Sequence, residues 1–286
     1  MSSPTAVAAE VWRSRDLLRN LISKELKVRY KGSALGFAWS LVTPLLISAI
    51  FTVVFATFLR IPFGNGNFTT FFLAGYLMWQ FFANSVTSSA GSIIANGALI
   101  KKVYFPRELI PFSLVASQGV HFLLALLATT PLFIAYRGFH PELIPAIVVA
   151  LLLVTLFTAG VSMLLGALTV KFRDLQELLQ VIMLAWFYLT PIIYSIETVR
   201  AIPNATQWVA VLRINPMTWF AELFHTLLYG IPLPIDPADP TGGIPHPPPG
   251  LPVLRTWLVC VVWALIAFVA GYAQFRRSAV SFAKEV

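Results

Sequence analysis

Apolar positions along the chain gather into six runs free of Asp, Glu, Lys and Arg: Ala34–Leu59, Phe68–Ile100, Leu109–Tyr136, Leu143–Val170, Leu178–Ile196 and Thr256–Phe275. About 20 helical residues, each rising ~1.5 Å, cross the hydrocarbon core of a bilayer. The pattern therefore predicts six membrane-spanning helices. The first, over 34–59, carries Pro44, a kink that neighbouring helices must accommodate. The second run is too long for one crossing and turns polar after Ala83 through Asn84, Ser85, Ser88, Ser89, Ser92 and Asn96, which puts its span at 68–92. Two readings fit that polar half: tight small-residue packing between helices, or the wall of a wet channel. The third and fourth spans, over 109–136 and 143–170, are joined by Arg137 to Glu142 alone, a link short enough to make them antiparallel neighbours. His121 inside the third run is open to two readings, a proton relay or a packed, hydrogen-bonded residue. The fifth and sixth spans are read over 178–196 and 256–275.

Two stretches outside the runs have patterns of their own. Residues 11–31 carry Arg13, Arg15, Arg19, Lys24, Lys27, Arg29 and Lys31, while Leu17, Leu18, Leu21, Ile22 and Leu26 recur at helical spacing. That predicts a basic amphipathic helix lying on a membrane surface. Residues 1–10 show no basic-then-apolar pattern with a cleavage site, so no cleaved signal peptide is expected. Residues 197–252 are interrupted by Arg213, Asn215-Pro216 and Gly230-Ile231-Pro232. Pro203–Leu212 and Asn215–Tyr229 are predicted helices too short to span, dipping into the outer leaflet with their backbone ends against protein or water. Ile231–Pro252, rich in Pro and Gly, is predicted irregular. The fold class is thus an all-α integral membrane protein: one domain over 1–286, six transmembrane helices, an N-terminal interface helix, and short re-entrant or gate helices before the last span.

Composition agrees and removes other classes. With 58% hydrophobic and 11% charged residues over 286 positions, the chain has too few charges to cover a soluble domain of this size. A formal charge of +8 raises the question of nucleic acid, but the basic residues sit beside apolar runs, where anionic lipid and topology account for them. If both termini are cytoplasmic, 15 of the 20 Lys and Arg fall on the inner side, as the positive-inside rule requires. The expected location is the plasma (inner) membrane. The single cysteine, Cys260, excludes an internal disulfide and a cysteine metal cluster. No Gly-x-x-x-x-Gly-Lys-Ser/Thr loop cradles a nucleotide, and no His-Glu-x-x-His binds a metal. Asp and Glu number 12, mostly at membrane edges, so no buried carboxylate pair stands ready for acid–base work. The chain is expected to bind no cofactor and to catalyse no bond chemistry.

The most informative stretch is the charged hinge between the second and third spans, 96–108. Lys101 and Lys102 cannot sit cheaply in hydrocarbon, so the hinge emerges into water or headgroups. Pro106 suits the first turn of the next helix, and Glu108 suits its positive dipole end. The run Lys101-Lys102-Val103-Tyr104-Phe105-Pro106-Arg107-Glu108 resembles the coupling-helix segment in the membrane subunits of polysaccharide-exporting ABC transporters, which export O-antigen, teichoic acid and related glycans. Glu25 to Gly36 followed by Trp39, Phe172-Arg173-Asp174-Leu175 ahead of Trp186 and Thr190-Pro191, and Asn215-Pro216-Met217-Thr218 with Glu222 are three further islands of that resemblance. The Pro-rich stretch 231–252 departs from it.

The resemblance implies the permease half of an ABC-2 type exporter of a lipid-linked polysaccharide. It implies a homodimer with two copies of a separate ATP-binding cassette ATPase, which binds ATP and magnesium. Leu99, Ile100, Lys101, Lys102, Val103, Tyr104, Phe105, Pro106, Arg107 and Glu108 would couple to that ATPase, and Asn215, Pro216 and Glu222 would belong to a gate near the outer face. Trp39, Tyr76, Trp79, Phe82, Trp186 and Tyr188 lie in or near span ends, where flat rings either stack on sugar faces or form the usual interfacial aromatic belt. Arg29 and Lys31 are candidate contacts for a lipid pyrophosphate by charge alone. The alternatives are a drug or small-lipid ABC exporter, an ATP-independent flippase, which would need repeats or intramembrane charges, and a polytopic glycan-modifying enzyme. The identity of the glycan stays open.

Overall fold

The computed structural model describes residues 14–33, 36–58, 67–102, 105–200, 202, 205–230 and 247–285, and among them every regular element is helical. In chain order the helices are α1 (Arg15–Tyr30), α2 (Trp39–Phe51, running on as a π-helical stretch to Phe58), α3 (Phe68–Ala90), α4 (Ser92–Ala95), α5 (Gly97–Lys102) and α6 (Leu109–Arg137). They continue with α7 (Ile144–Lys171), α8 (Leu175–Tyr188), α9 (Ile196–Arg200), α10 (Thr206–Ile214), α11 (Pro216–Leu228), α12 (Leu254–Ala279) and α13 (Phe282–Glu285). The edges of the first expected span, Ala34–Leu35 and Leu59, and the predicted loop at 231–246 lie outside the described residues.

Among the described residues, four helical stretches are long and apolar enough to cross a membrane: Trp39–Phe58, Leu109–Arg137, Pro141–Lys171 and Leu254–Ala279. The other two expected crossings differ in kind. α3 is long, at 23 residues, but more polar, because its last turns carry the Asn and Ser positions. α8 is 14 residues, about 21 Å at 1.5 Å each, and stops at Tyr188 where an unbroken span to Ile196 was expected. Pro191 explains the stop: it brings no N–H to a helical ladder, and it disfavours the helical conformation at Thr190.

α3 is the centre of the bundle. Its N-terminus is fixed by Asn67, whose side chain accepts from the Thr70 N–H at 3.2 Å. From there Phe71, Phe72, Leu73, Ala74, Met78 and Phe82 are fully buried. α3 packs on α6, α7 and α11, and α7 forms the most extensive helix pair with α12. Lipid tails are as apolar as leucine, so membrane helices gain little from burying leucine against each other and associate by close packing instead. Gly160 on α7 and Gly271 on α12 make that approach possible. A Cβ at Gly160 would overlap the Ala267 backbone, and one at Gly271 would overlap the Gly160 carbonyl.

α11, the second of the short helices expected before the last span, has its side chains packed into the bundle. Phe220, Phe224, Ala221 and Leu223 are all buried, so this helix is a core element set between α3, α7 and α12. α10, predicted over 203–212, runs Thr206–Ile214 and leaves Trp208 and Ile214 exposed. α6 ends on Gly138, whose positive φ of 84° suits a residue without a side chain. The chain then turns through Pro141–Leu143 into antiparallel α7.

A second apolar cluster closes the hinge end. Leu21 of α1, Ile93, Ile100 of α5, Phe105, Leu109 and Ile110 of α6, and Phe275 and Phe282 of the C-terminal segment pack together. The apolar side of α1 therefore lies on the start of α6, leaving its basic side outward.

Candidate functional site

Three places collect the residues singled out above: the hinge, an aromatic groove and a joint between the end of α8 and the start of α11. At the hinge, α5 presents two different faces. Ile100 is buried and Leu99 partly so, whereas Lys101 and Lys102 are exposed. Val103 and Tyr104 lie outside the described residues. Phe105 is buried, Pro106 is half-buried, and Arg107 and Glu108 turn toward the C-terminal segment. The Arg107 guanidinium donates to the Ala279 carbonyl. Glu108 pairs with Arg276 at 3.2 Å while itself only 5% exposed. The hinge is thus tied to α12 and α13 on one side and open on the side of its two lysines. The sequence reading missed Arg276 and Phe282 as hinge partners; they stand 168 and 177 residues beyond Glu108 and Phe105, and nothing local marks them.

The groove lies between α2, α3 and α8, with a volume of about 460 Å3, open along its length. Tyr76 and Trp79 from α3, Phe51 from α2, and Phe187 and Tyr188 from α8 line it. The rings are in mutual contact: Phe51 on Phe72 at 4.6 Å, Phe72 on Tyr76 at 5.0 Å, and Trp79 against Phe187 at 5.7 Å. Offset and edge-on arrangements of this kind suit the charge distribution of aromatic rings. Three of the six aromatics singled out by sequence, Tyr76, Trp79 and Tyr188, thus meet at one surface. Phe82 is fully buried behind it, edge-on to Trp186 at 5.2 Å. Trp39 sits elsewhere, at the start of α2 beside Gln80 and Gln118.

The joint is built on Asn215. Its Oδ1 accepts from the Met217 N–H at 2.9 Å, capping α11, and from the Trp186 indole at 2.8 Å. Its Nδ2 donates to the Leu189 carbonyl and the Thr190 hydroxyl, both at 3.1 Å. One side chain therefore holds the end of α8 against the start of α11, with Pro216 at the first helical position, where its fixed φ is favourable. One turn and a half further on, Glu222 accepts from Arg213 at 2.6 Å, and the Arg213 guanidinium lies 4.3 Å over the Trp219 ring. His225, also on α11, stacks on Phe71 at 4.0 Å and occupies the space where a Cβ of Gly75 would be. Sequence reasoning missed His225 and Trp219. A glycine inside a strongly helical run, at Gly75, was the available signal for a close neighbour.

Lys31, at the end of α1, is exposed, and the side chain of Arg29 lies outside the described residues. Among the described residues no cluster of His, Cys, Asp and Glu is arranged to hold a metal ion.

The fold and these three places define a polytopic, all-helical membrane protein with a basic hinge at one end of its bundle. The chain belongs to the ABC-2 type transporter family, whose sequence profile matches residues 16–229. It is 38% identical over 210 residues to an O-antigen export system permease protein, RfbA, of Klebsiella pneumoniae, covering 71% of this chain and 76% of the relative. A protein of the same name from Myxococcus xanthus is 33% identical over 230 residues, covering 79% and 85%. A capsule polysaccharide export inner-membrane protein, CtrC, of Neisseria meningitidis is 24% identical over 217 residues, covering 73% and 78%. The match ends at Tyr229, so the hinge, groove and joint all fall inside it.

Proposed function

We propose that this chain is the permease half of an ATP-driven exporter that moves a lipid-linked polysaccharide from the cytoplasmic to the outer side of the plasma membrane. Two copies pair around the path, and two copies of a separate ATP-binding cassette subunit hydrolyse ATP with magnesium beneath them. Both termini and the hinge are cytoplasmic, and the Asn215 joint is near the outer face. Lys101 and Lys102, with Leu99, Val103, Tyr104 and Pro106, meet the ATPase. Ile100, Phe105, Arg107 and Glu108 carry its movement into α6 and α12, since small rotations of a packed element shift whole helices. Arg29 and Lys31 meet the lipid pyrophosphate at the inner surface. Asn215, Pro216 and Glu222 hold the outer gate.

The observation that carries this reading is the aromatic groove. It is open at the side instead of enclosed, and five of its nine lining side chains are aromatic rings, the rest aliphatic, with no cation or carboxylate among them. A polymer can slide over such a wall, sugar face on ring, without meeting a deep well at any one position. A second copy facing the groove would close it into a conduit.

The test uses the tagged full chain in its own cells. An ATP-hydrolysing subunit is expected to co-purify in equal amount, and deletion of the gene is expected to leave glycan inside the cell. Each ring contact is worth about 0.5–1.5 kcal/mol. Tyr76→Ala with Tyr188→Ala should therefore slow export by about tenfold while the ATPase stays bound. A chain that purifies with no ATPase, or a deletion that leaves surface glycan unchanged, overturns the reading.

A further inference from the structure

α3 also borders a cavity whose chemistry is opposite to that of the groove. Beneath α1, between α3, α4 and α6, lies a cavity of about 790 Å3, within the roughly 300–1,000 Å3 of small-ligand sites. Its lining carries hydrogen-bonding groups: the amides of Asn84, Gln118 and Gln176, the hydroxyls of Ser88 and Ser117, and the His121 ring. Charge is confined to the mouth, where Lys24 and Glu25 of α1 approach each other at 4.0 Å and the Lys24 ammonium also reaches Asn96 at 3.4 Å.

Two features show that the polar interior is constructed. Gln176, at the start of α8, crosses over Gly91, and its amide occupies the space a side chain there would take. Ser113 and Ser117, which line the cavity, donate their hydroxyl protons to the Ile110 and Leu114 carbonyls at 2.8 and 2.9 Å, so each oxygen keeps acceptor capacity. A polar pocket inside a helical bundle is costly to maintain. Amides and hydroxyls over apolar walls such as Leu114 match a sugar ring, which has hydroxyls at its edge and C–H groups on its faces. Asn84, Gln118 and His121 also line a smaller cavity of about 90 Å3 with Thr43, Gln80 and Trp39, so the polar lining continues along α3 toward α2.

We propose that this cavity is a loading site for the sugars nearest the lipid phosphate, with Lys24 at its mouth beside the phosphate. The proposal rests on the exporter reading and adds a second, polar saccharide site to it. The lipid-linked substrate is held at its sugars by Asn84, Gln118 and Gln176 before the polymer reaches the aromatic wall. Trp39, singled out with the ring residues by sequence, then belongs to the loading site.

The experiment measures binding to the full chain with its ATPase in lipid nanodiscs, using lipid-linked oligosaccharide extracted from the host and sugar-free polyprenyl pyrophosphate as the two probes. Asn84→Leu with Gln118→Leu should weaken the oligosaccharide at least tenfold and leave the sugar-free lipid unchanged. Gly91→Val, which displaces Gln176 without touching the other two amides, should weaken it in the same direction. Thermal unfolding of each variant, matched to wild type, separates these losses from misfolding. Equal weakening of both probes would make the cavity a headgroup site, and no weakening of either would make it a water-filled void; both overturn the proposal. Should oligosaccharide binding and export respond to Tyr76→Ala with Tyr188→Ala but not to the cavity variants, only the loading site falls. A wild-type complex that binds no oligosaccharide takes the exporter reading down with it.

Discussion

The α7–α12 crossing and the α2–α8 groove are both made of apolar helices, yet the first is interlocked and the second is open. At the crossing, backbones meet through Gly160 and Gly271 with no side chain between them. At the groove, α2 has 11% of its apolar stretch buried, against 44% for the Pro141–Lys171 stretch, and Leu45, Leu46, Ile50, Leu178, Val181 and Leu184 point outward. A bundle held in lipid by close approach needs small residues where it must not move. Where large side chains face outward, the helix is held mainly from one side. The crossing is the fixed frame, then, and the groove is the wall that a second copy or lipid completes.

The largest expected effect breaks the frame. Gly160→Leu forces a branched side chain into the Ala267 backbone and should cost about 3 kcal/mol, at the upper end for overpacking, so that little monodisperse protein is recovered after extraction. The same change in size on the open side, Ala185→Leu on exposed α8, should leave the unfolding temperature where it is. Equal losses from the two substitutions would erase the distinction between frame and wall.

A step smaller is Gly75→Ala. Its Cβ would stand 2.7 Å from the His225 imidazole, so the α3–α11 contact must open, at a cost of about 1–3 kcal/mol. Combining it with His225→Ala should recover part of that loss, because the clash is between these two groups. A double-mutant cycle on thermal stability reads the coupling directly, and strict additivity would show that the two helices do not bear on each other there.

Asn215→Ala removes a helix cap and three further hydrogen bonds, and should cost about 1–2 kcal/mol. Asn215→Asp keeps the acceptor for Met217 and Trp186 but sets a carboxylate oxygen against the Leu189 carbonyl and the Thr190 oxygen, whose proton goes to the Trp186 carbonyl, so its cost should be at least that of alanine. A chemical or thermal unfolding series orders the three proteins. An aspartate variant as stable as wild type would show that the donor side of Asn215 does not hold the joint.

These positions also mark what could be read from the chain. α6, α7 and α12 lie within a few residues of their apolar runs, because a long uncharged run in lipid has few other ways to satisfy its backbone. The hinge and its lysines were legible from charge between two such runs. The burial of α11 was not: Phe220 and Phe224 are apolar in the same way as the exposed Trp208 and Ile214 of α10, and composition does not distinguish a helix inside a bundle from one on its surface. The polar half of the second run divides by helix face. Ser85 and Ser89 are fully buried, with the Ser89 carbonyl 3.1 Å from where a Cβ of Gly166 would stand, while Asn84 and Ser88 line the cavity beneath α1. A period of 3.6 residues puts neighbours in sequence on different faces, so a single label for the stretch could not hold.

Smallest in stability, and the sharpest on what covers the wall, is the introduction of a single thiol on the groove face. Leu184 is exposed and sits at the groove rim. Leu184→Cys should not change folding, since an outward side chain loses few packing partners. Native Cys260 is fully buried on α12 and will not compete. Under mild oxidation in membranes, facing copies would bring the two new sulfurs into disulfide range, with Cα atoms under about 7 Å apart, and give a dimer band on a non-reducing gel. The same thiol at Val269, exposed on α12 away from the groove, should stay monomeric and serves as the contrast. Crosslinking at 269 and not at 184 would put the second copy on α12 and leave the rings of the groove to lipid. That result would remove the conduit and return Tyr76, Trp79 and Tyr188 to an interfacial belt.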